Sequence, residues 1–322
     1  MDFIGFGAVL WDSLVYVGYS FLDEIGIVKG GYRAVDFPTL KQLLERINAE
    51  KDKKVITDPG GSCANVMSNI AKLGSSVTFV GKHGDDAEGY KFMNLLESEG
   101  VNTYSVLDKE KRTGQVLSLI TPDKDRALIA HLGAAEVLPA EAIDEALIRK
   151  ADITHLEGYL VANSEPALWK IFEAADKVSI DLAAATIIQQ HKPVLQKLMK
   201  HHRPYILFAN EFEGKEFTGK EDYREIVERL LDYAEIAVLT LGEKGAIAAT
   251  RKGDYHFEKA IKTNPVDTTG AGDSFCAGFL HTYHREGDIA LSAKLSVQIA
   301  SATIRYVGAR SFRTSQLKDL FG

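Results

Sequence analysis

The sequence predicts a doubly wound α/β fold: a mostly parallel sheet with helices on both faces, carrying a small β-rich lid. Three observations predict it. Apolar runs at 153–156, 178–182, 206–208 and 236–241 alternate with helix-like segments, the pattern of strands buried on both faces of a parallel sheet. A strand-turn-strand stretch at 113–132, turning at Pro122-Asp123, breaks that alternation and reads as part of a lid. At 322 residues, with 45% hydrophobic and 26% charged, the chain has the size and composition of one large domain with an elaboration. The expected organisation is therefore a single domain over 1–322, with lid segments at roughly 13–37 and 102–132.

Phe3-Ile4-Gly5-Phe6-Gly7 reads as a short buried strand. Its two glycines do not make a dinucleotide fingerprint, which needs a third glycine and a helix directly after it, whereas Leu14-Val15-Tyr16-Val17 continues as strand. Asp12 stands between Trp11 and Leu14, where a carboxylate is costly unless something pairs with it; a ligand hydroxyl and a solvated turn are the alternatives. Pro59-Gly60-Gly61-Ser62-Cys63-Ala64-Asn65 opens a helix whose apolar face is Val66, Ile70 and Leu73, with Gly74 closing it. A strand over 75–81 follows, and then a helix carrying Tyr90, Met93 and Leu96.

Ligands on doubly wound sheets bind at the carboxyl ends of the strands. The third apolar run ends in Asn210-Glu211-Phe212-Glu213 and the fourth in Thr240-Leu241-Gly242-Glu243-Lys244-Gly245. Asn210 and Glu213 offer the oxygen ligands that hydrated Mg²⁺ prefers; the same pair also reads as a capping box at a helix start.

Val266-Asp267-Thr268-Thr269-Gly270-Ala271-Gly272-Asp273 then leads into a helix with Phe275, Phe279 and Leu280 on one face. Glycines flanking a bare methyl let an anion reach the unsatisfied N–H groups of a first helical turn, at the positive end of its dipole. Asp273, one residue past the last glycine, is an odd choice for attracting phosphate and a sensible one for a base aimed at an acceptor hydroxyl; a first-turn acid complementing the helix dipole after an ordinary tight turn is the alternative. No Gly-x-x-x-x-Gly-Lys-Ser/Thr occurs, so phosphate is not held in the Walker manner.

Net charge is −7 with no basic block, which argues against nucleic acid as a partner. No segment approaches the length of a membrane span and the start lacks a basic leader. Cys63 and Cys276 lie among small and apolar residues and read as buried free thiols rather than a disulfide, which suits a cytoplasmic protein.

Together these stretches resemble the ribokinase-like, PfkB-type kinases. Asp267-Thr268-Thr269-Gly270-Ala271-Gly272-Asp273 resembles their C-terminal signature, and the residues from Gly60-Gly61 through Gly84-Asp85-Asp86-Ala87-Glu88-Gly89 their N-terminal one. Leu10-Trp11-Asp12-Ser13-Leu14, Asp125-Arg126-Ala127-Leu128 and Ile206-Leu207-Phe208-Ala209-Asn210 look most like the adenosine-kinase branch.

The resemblance implies an ATP-dependent kinase acting on the primary hydroxymethyl of a ribose unit, in a nucleoside such as adenosine, or alternatively on a free sugar such as ribose or a ketohexose; a non-catalytic nucleotide-binding relative is the remaining alternative. It implies Asp273 as base, Gly270, Ala271 and Gly272 as anion hole, and Arg126 of the lid approaching the phosphoryl group. Asp12, Gly60, Gly61 and Asn65 would hold the acceptor, while Asn210, Thr240, Gly242 and Gly245 would border ATP. Asn210 and Glu213 would order Mg²⁺ through water, and Asp267 and Thr269 a monovalent cation such as K⁺. The partners expected are small molecules, with no nucleic acid or membrane, and the chain a monomer or homodimer.

Overall fold

The computed structural model describes residues 1–29, 31–50, 54–123 and 126–312, the side chain of Arg126 excepted. The chain opens with β1 (Phe3–Ala8), β2 (Leu10–Tyr16), α1 (Tyr19–Ile25), β3 (Tyr32–Ala34), α2 (Phe37–Ala49) and β4 (Ile56–Pro59). Then come α3 (Ser62–Lys72), β5 (Val77–Gly84), α4 (Ala87–Ser98), β6 (Asn102–Asp108), β7 (Gly114–Ile120) and β8 (Arg126–His131). The strand-helix alternation follows as α5 (Glu145–Ile148), β9 (Ile153–Glu157), α6 (Glu165–Ala174), β10 (Val178–Asp181), α7 (Ala185–His201) and β11 (Ile206–Asn210). It finishes with α8 (Glu211–Thr218), α9 (Tyr223–Leu230), β12 (Ile236–Thr240), β13 (Gly245–Thr250), β14 (Tyr255–Lys259), α10 (Ala271–Glu286) and α11 (Ile289–Thr303).

One sheet has nine strands in the order β14-β13-β12-β11-β10-β9-β1-β5-β6. From β12 to β6 all neighbours are parallel, and β13 and β14 continue antiparallel. Strand side chains alternate between two apolar layers. In β12, Ala237 and Leu239 pack with α6, α7, α8 and α9, while Ile236 and Val238 pack with α3, α10 and α11. In β1 the alternation runs Phe3, then Ile4 and Phe6 on the opposite side. A Cβ at Gly5 would overlap Cys63 and Met67, so the glycines that invite a cofactor reading serve instead to let α3 lie directly on β1.

A second sheet, β3-β8-β7-β2-β4, has its own core. Val15, Leu117, Leu119, Ala127 and Ile129 point to one side, where Phe21 and Leu22 of α1 and Leu40 and Ile47 of α2 cover them. The expected lid segments need adjusting. Asn102–Asp108 pairs in parallel with β5 as an edge of the large sheet, because the short connection after α4 closes a strand-helix-strand unit. Ile56–Pro59, not expected in the lid, pairs with β2. Among the described residues no helix is long and apolar enough to cross a membrane. Cys63 and Cys276 are buried and free.

Candidate active site

Strand order reverses at β1: β5 and β6 lie on one side of it and β9 to β12 on the other. A crevice forms at the carboxyl ends of strands around such a point. Along that edge stand Ala8 of β1, Glu157 of β9, Asp181 of β10, Asn210 of β11 and Thr240 of β12, with Glu157 level with Asp181 and Asn210 level with Thr240.

The mouth of α10 opens into this crevice. Gly270 is its N-cap in the left-handed region at φ 74°, and a Cβ there would overlap Ala309, so no other residue type fits. Around Gly272 nothing stands within 4 Å of where a Cβ would be, which leaves room for an anion at the first-turn N–H groups.

Asp273 sits in that first turn, half-buried. Ser62 Oγ donates to its Oδ1 and Asn65 Nδ2 to its Oδ2, both at 2.8 Å. Both donors come from the first turn of α3. Gly61, N-cap of α3 at φ 81°, lets that turn start against the carbonyl of Ala8. Asn65, expected to read acceptor hydroxyls, is 4% exposed and directs its amino group at Asp273.

Asp12 lies in β2 opposite Asp58 of β4, and its carboxylate is packed against Gly60. Burial raises the Asp58 carboxyl, with the charges of Glu99 and Asp267 adding to the rise and Arg310 opposing it. Leu14, Tyr16, Ser118 and Ile120 of the smaller sheet face residues 265–269 across a small pocket. Asp267 holds that loop in shape: Thr269 N donates to its Oδ1 at 2.9 Å and Gly308 N to its Oδ2 at 3.0 Å. Arg126 opens β8 level with Ile120, and its side chain lies outside the described residues.

Asn210 and Glu213 form the capping box of α8. Asn210 N donates to Glu213 Oε2 at 2.8 Å and Asn210 Nδ2 to Oε1 at 2.5 Å. Burial, then the charge of Asp181, pushes the Glu213 carboxyl up. Asp181 is pushed up by burial and by Asp273. These are hard oxygen donors of the kind Mg²⁺ takes, and a nearby cation would offset their mutual repulsion. Gly242 opens the turn after β12 and Gly245 begins β13, so both border the same edge as Thr240.

Sequence reasoning missed three participants. Glu157, 1% exposed, accepts from Ala8 N at 2.8 Å and Cys63 N at 2.9 Å, tying β1 to the start of α3. Glu157 directly follows the first apolar run and Asp181 lies next to the end of the second, so the strand-end rule that singles out Asn210 and Thr240 would have found them. Arg310 carried no such signal. At the amino edge of the sheet, Asp2, Asp152 and His284 also come together, a grouping that sequence spacing hides.

The chain belongs to the pfkB family of carbohydrate kinases, whose sequence profile matches residues 32–316. It is 31% identical over 246 residues to an uncharacterized sugar kinase of Archaeoglobus fulgidus, covering 75% of this chain and 96% of that one. It is also 31% identical over 263 residues to an ATP-dependent ribose-1-phosphate kinase of Halopiger xanaduensis, covering 81% and 86%. The crystal structure of adenosine kinase from Sinorhizobium meliloti superposes with a TM-score of 0.91 at 25% identity, over 99% of this chain and 98% of that one. The family match and the named relatives give the class, a kinase of sugars or nucleosides.

Proposed function

We propose that this kinase transfers the terminal phosphoryl group of ATP to the primary hydroxymethyl of a ribose unit in a nucleoside such as adenosine. The observation that carries the reading is Asp273, fixed by two donors in the first turn of α10 beside the open space at Gly272. Asp273 takes the proton of the attacking hydroxyl. The N–H groups over 270–272 receive the equatorial oxygens of a phosphoryl group in a loose transition state, where alignment and charge neutralisation do most of the catalysis. Asn210 and Glu213 would hold Mg²⁺ through water, and the ion would supply charge neutralisation on the phosphates. Thr240, Gly242 and Gly245 border the ATP, and Arg126 approaches the phosphoryl group from the smaller sheet. Asp267 and Thr269 supply oxygens to a monovalent cation such as K⁺.

The preference for a nucleoside over a free sugar rests on one strand. Asp12, Leu14 and Tyr16 share a face of β2, and Leu14 and Tyr16 are level with Ser118 and Ile120 of β7. With Asp12, Gly60 and Gly61 on the ribose hydroxyls, this face sets an apolar surface beside the sugar, which a base would cover and a lone sugar would leave wet. The resemblance to an adenosine kinase at 25% identity supports the same choice.

ADP release measured with adenosine, inosine, D-ribose, D-fructose and ribose 1-phosphate tests it. Adenosine or inosine should give the highest kcat/KM. A higher kcat/KM with any of the three sugars would reject the nucleoside reading while leaving the kinase intact.

A further inference from the structure

We infer that Arg310 is a positioning residue for Asp273, acting through the side-chain amide of Asn65; the inference rests on reading Asp273 as the base. A carboxamide has two ends of nearly equal shape and opposite chemistry, so something must decide which end Asp273 meets. Arg310 Nε donates to Asn65 Oδ1 at 2.9 Å. A guanidinium has no acceptor, so the carbonyl end of Asn65 is committed to Arg310 and the amino end faces Asp273 Oδ2 at 2.8 Å. Turning the amide over would set two donor groups against each other on one side and two acceptors on the other.

The arginine itself is held on every side. Nη2 donates to the Gly60 carbonyl at 3.1 Å, Nη1 lies 3.3 Å from Glu99 Oε2, and the guanidinium stands 5.2 Å from the ring centre of Phe92. It is 8% exposed, and a buried arginine left without such partners would be strongly destabilising. Pairing with Glu99 alone would satisfy the charge. The planar fork does more: its other two edges reach the Gly60 carbonyl and Asn65, the two ends of the turn that presents Ser62 to Asp273.

The backbone around Arg310 ties in the other half of the site. Gly308 N donates to Asp267, Ala309 packs under Gly270, and Lys72 of α3 donates to the Arg310 carbonyl at 2.7 Å. Residues 308–310 therefore form a wedge that touches both the loop before α10 and the turn before α3. With Ser62 on one oxygen and a correctly turned Asn65 on the other, the plane of the Asp273 carboxylate is fixed. Small misplacements of a reacting group carry large rate losses.

The test uses Arg310→Met, Arg310→Lys, Asn65→Ala and the Met/Ala double variant, assayed with whichever of adenosine, D-ribose and D-fructose is turned over. Arg310→Met should lower kcat roughly ten- to hundred-fold with both KM values within about three-fold, and should add less than about three-fold in the Asn65→Ala background. If Arg310→Met fails to fold, Arg310→Lys, which keeps the charge beside Glu99 but cannot bridge Gly60 and Asn65, carries the same expectation. Independently of turnover, the Asn65 side-chain amide protons should exchange with solvent faster in the folded Arg310 variant than in the parent protein.

Unchanged kcat, or equal losses with and without Asn65, or unchanged exchange at the Asn65 amide, would each overturn the inference. Asp273→Asn assayed alongside separates the two readings. Full turnover in that variant would remove Asp273 as base, and the Asn65 exchange would then decide the role of Arg310 alone.

Discussion

Asp273 accepts from a hydroxyl of Ser62 on one oxygen and from the amide of Asn65 on the other. Asp273→Asn replaces an acceptor-only group with one that must turn its own amino end toward a donor. We expect kcat to fall on the order of 100- to 10,000-fold, the usual loss for a missing general base, with ATP and acceptor affinity within a few-fold. Calorimetric titration alongside steady-state rates checks both halves, and turnover above about a tenth of wild type would refute the base assignment. Asp12→Ala should weaken acceptor binding far more than ATP binding in the same calorimetric experiment; equal acceptor affinity would make Asp12 a structural strand residue. The helix mouth that carries Asp273 was legible from the glycines that open it. The partner of Asn65 was not, since Asp273 lies 208 residues further along the chain. Arg310 was invisible for the same reason: it sits among Gly308, Ala309 and Ser311 with no periodicity to mark it, and its meaning exists only in the folded contacts.

At the scale of elements, the strand ends and helix mouths hold most of the buried acid. Burial, outweighing two backbone hydrogen bonds, raises Glu157 from an ordinary 4.5 to about 7. Between those values the folded chain keeps a proton that the unfolded chain has lost, so stability falls as pH rises through that window, by about 3 kcal/mol for a shift of this size. Asp181 and Glu213, also raised, act in the same direction. His155 and His281, lowered to about 3 and about 4 by burial, act oppositely, but only below the ordinary histidine value of 6.5. Between about pH 4.5 and 7 the ligand-free melting temperature should therefore fall relative to that of Glu157→Gln, and parallel curves for the two proteins over that range would show that Glu157 is already ionised.

The smaller sheet yields a specificity test. Tyr16 is 59% exposed on the face beside Leu14, so Tyr16→Ala should raise KM for adenosine about three- to ten-fold through lost apolar contact, with KM for ATP unchanged. An unchanged adenosine KM would take this face out of acceptor recognition. The hairpin of β7 and β8 was legible from its turn residues. The sheet around it was not, because β3 and β4 are three and four residues long, too short for alternation to show.

At the scale of the molecule, the doubly wound sheet could be read because its central strands are continuous apolar runs separated by helices, a pattern few other folds produce. Helix starts at 62, 211 and 271 were also legible, from their cap residues and glycines. What the sequence hides is the order of strands across the sheet, and with it the meeting of Ala8, Glu157 and Cys63 at the point where the order reverses.

The wedge of residues 308–310 also sets a timetable. During synthesis α3 emerges first and α10 much later, but the arginine that turns Asn65 emerges 37 residues after Asp273. At about 5 to 20 residues per second, that interval lasts roughly 2 to 7 s. Throughout it a nascent chain carries Ser62, Asn65 and Asp273 but not yet Arg310, so the contacts of Arg310 with Asn65 and Gly60 cannot be among the early ones to form.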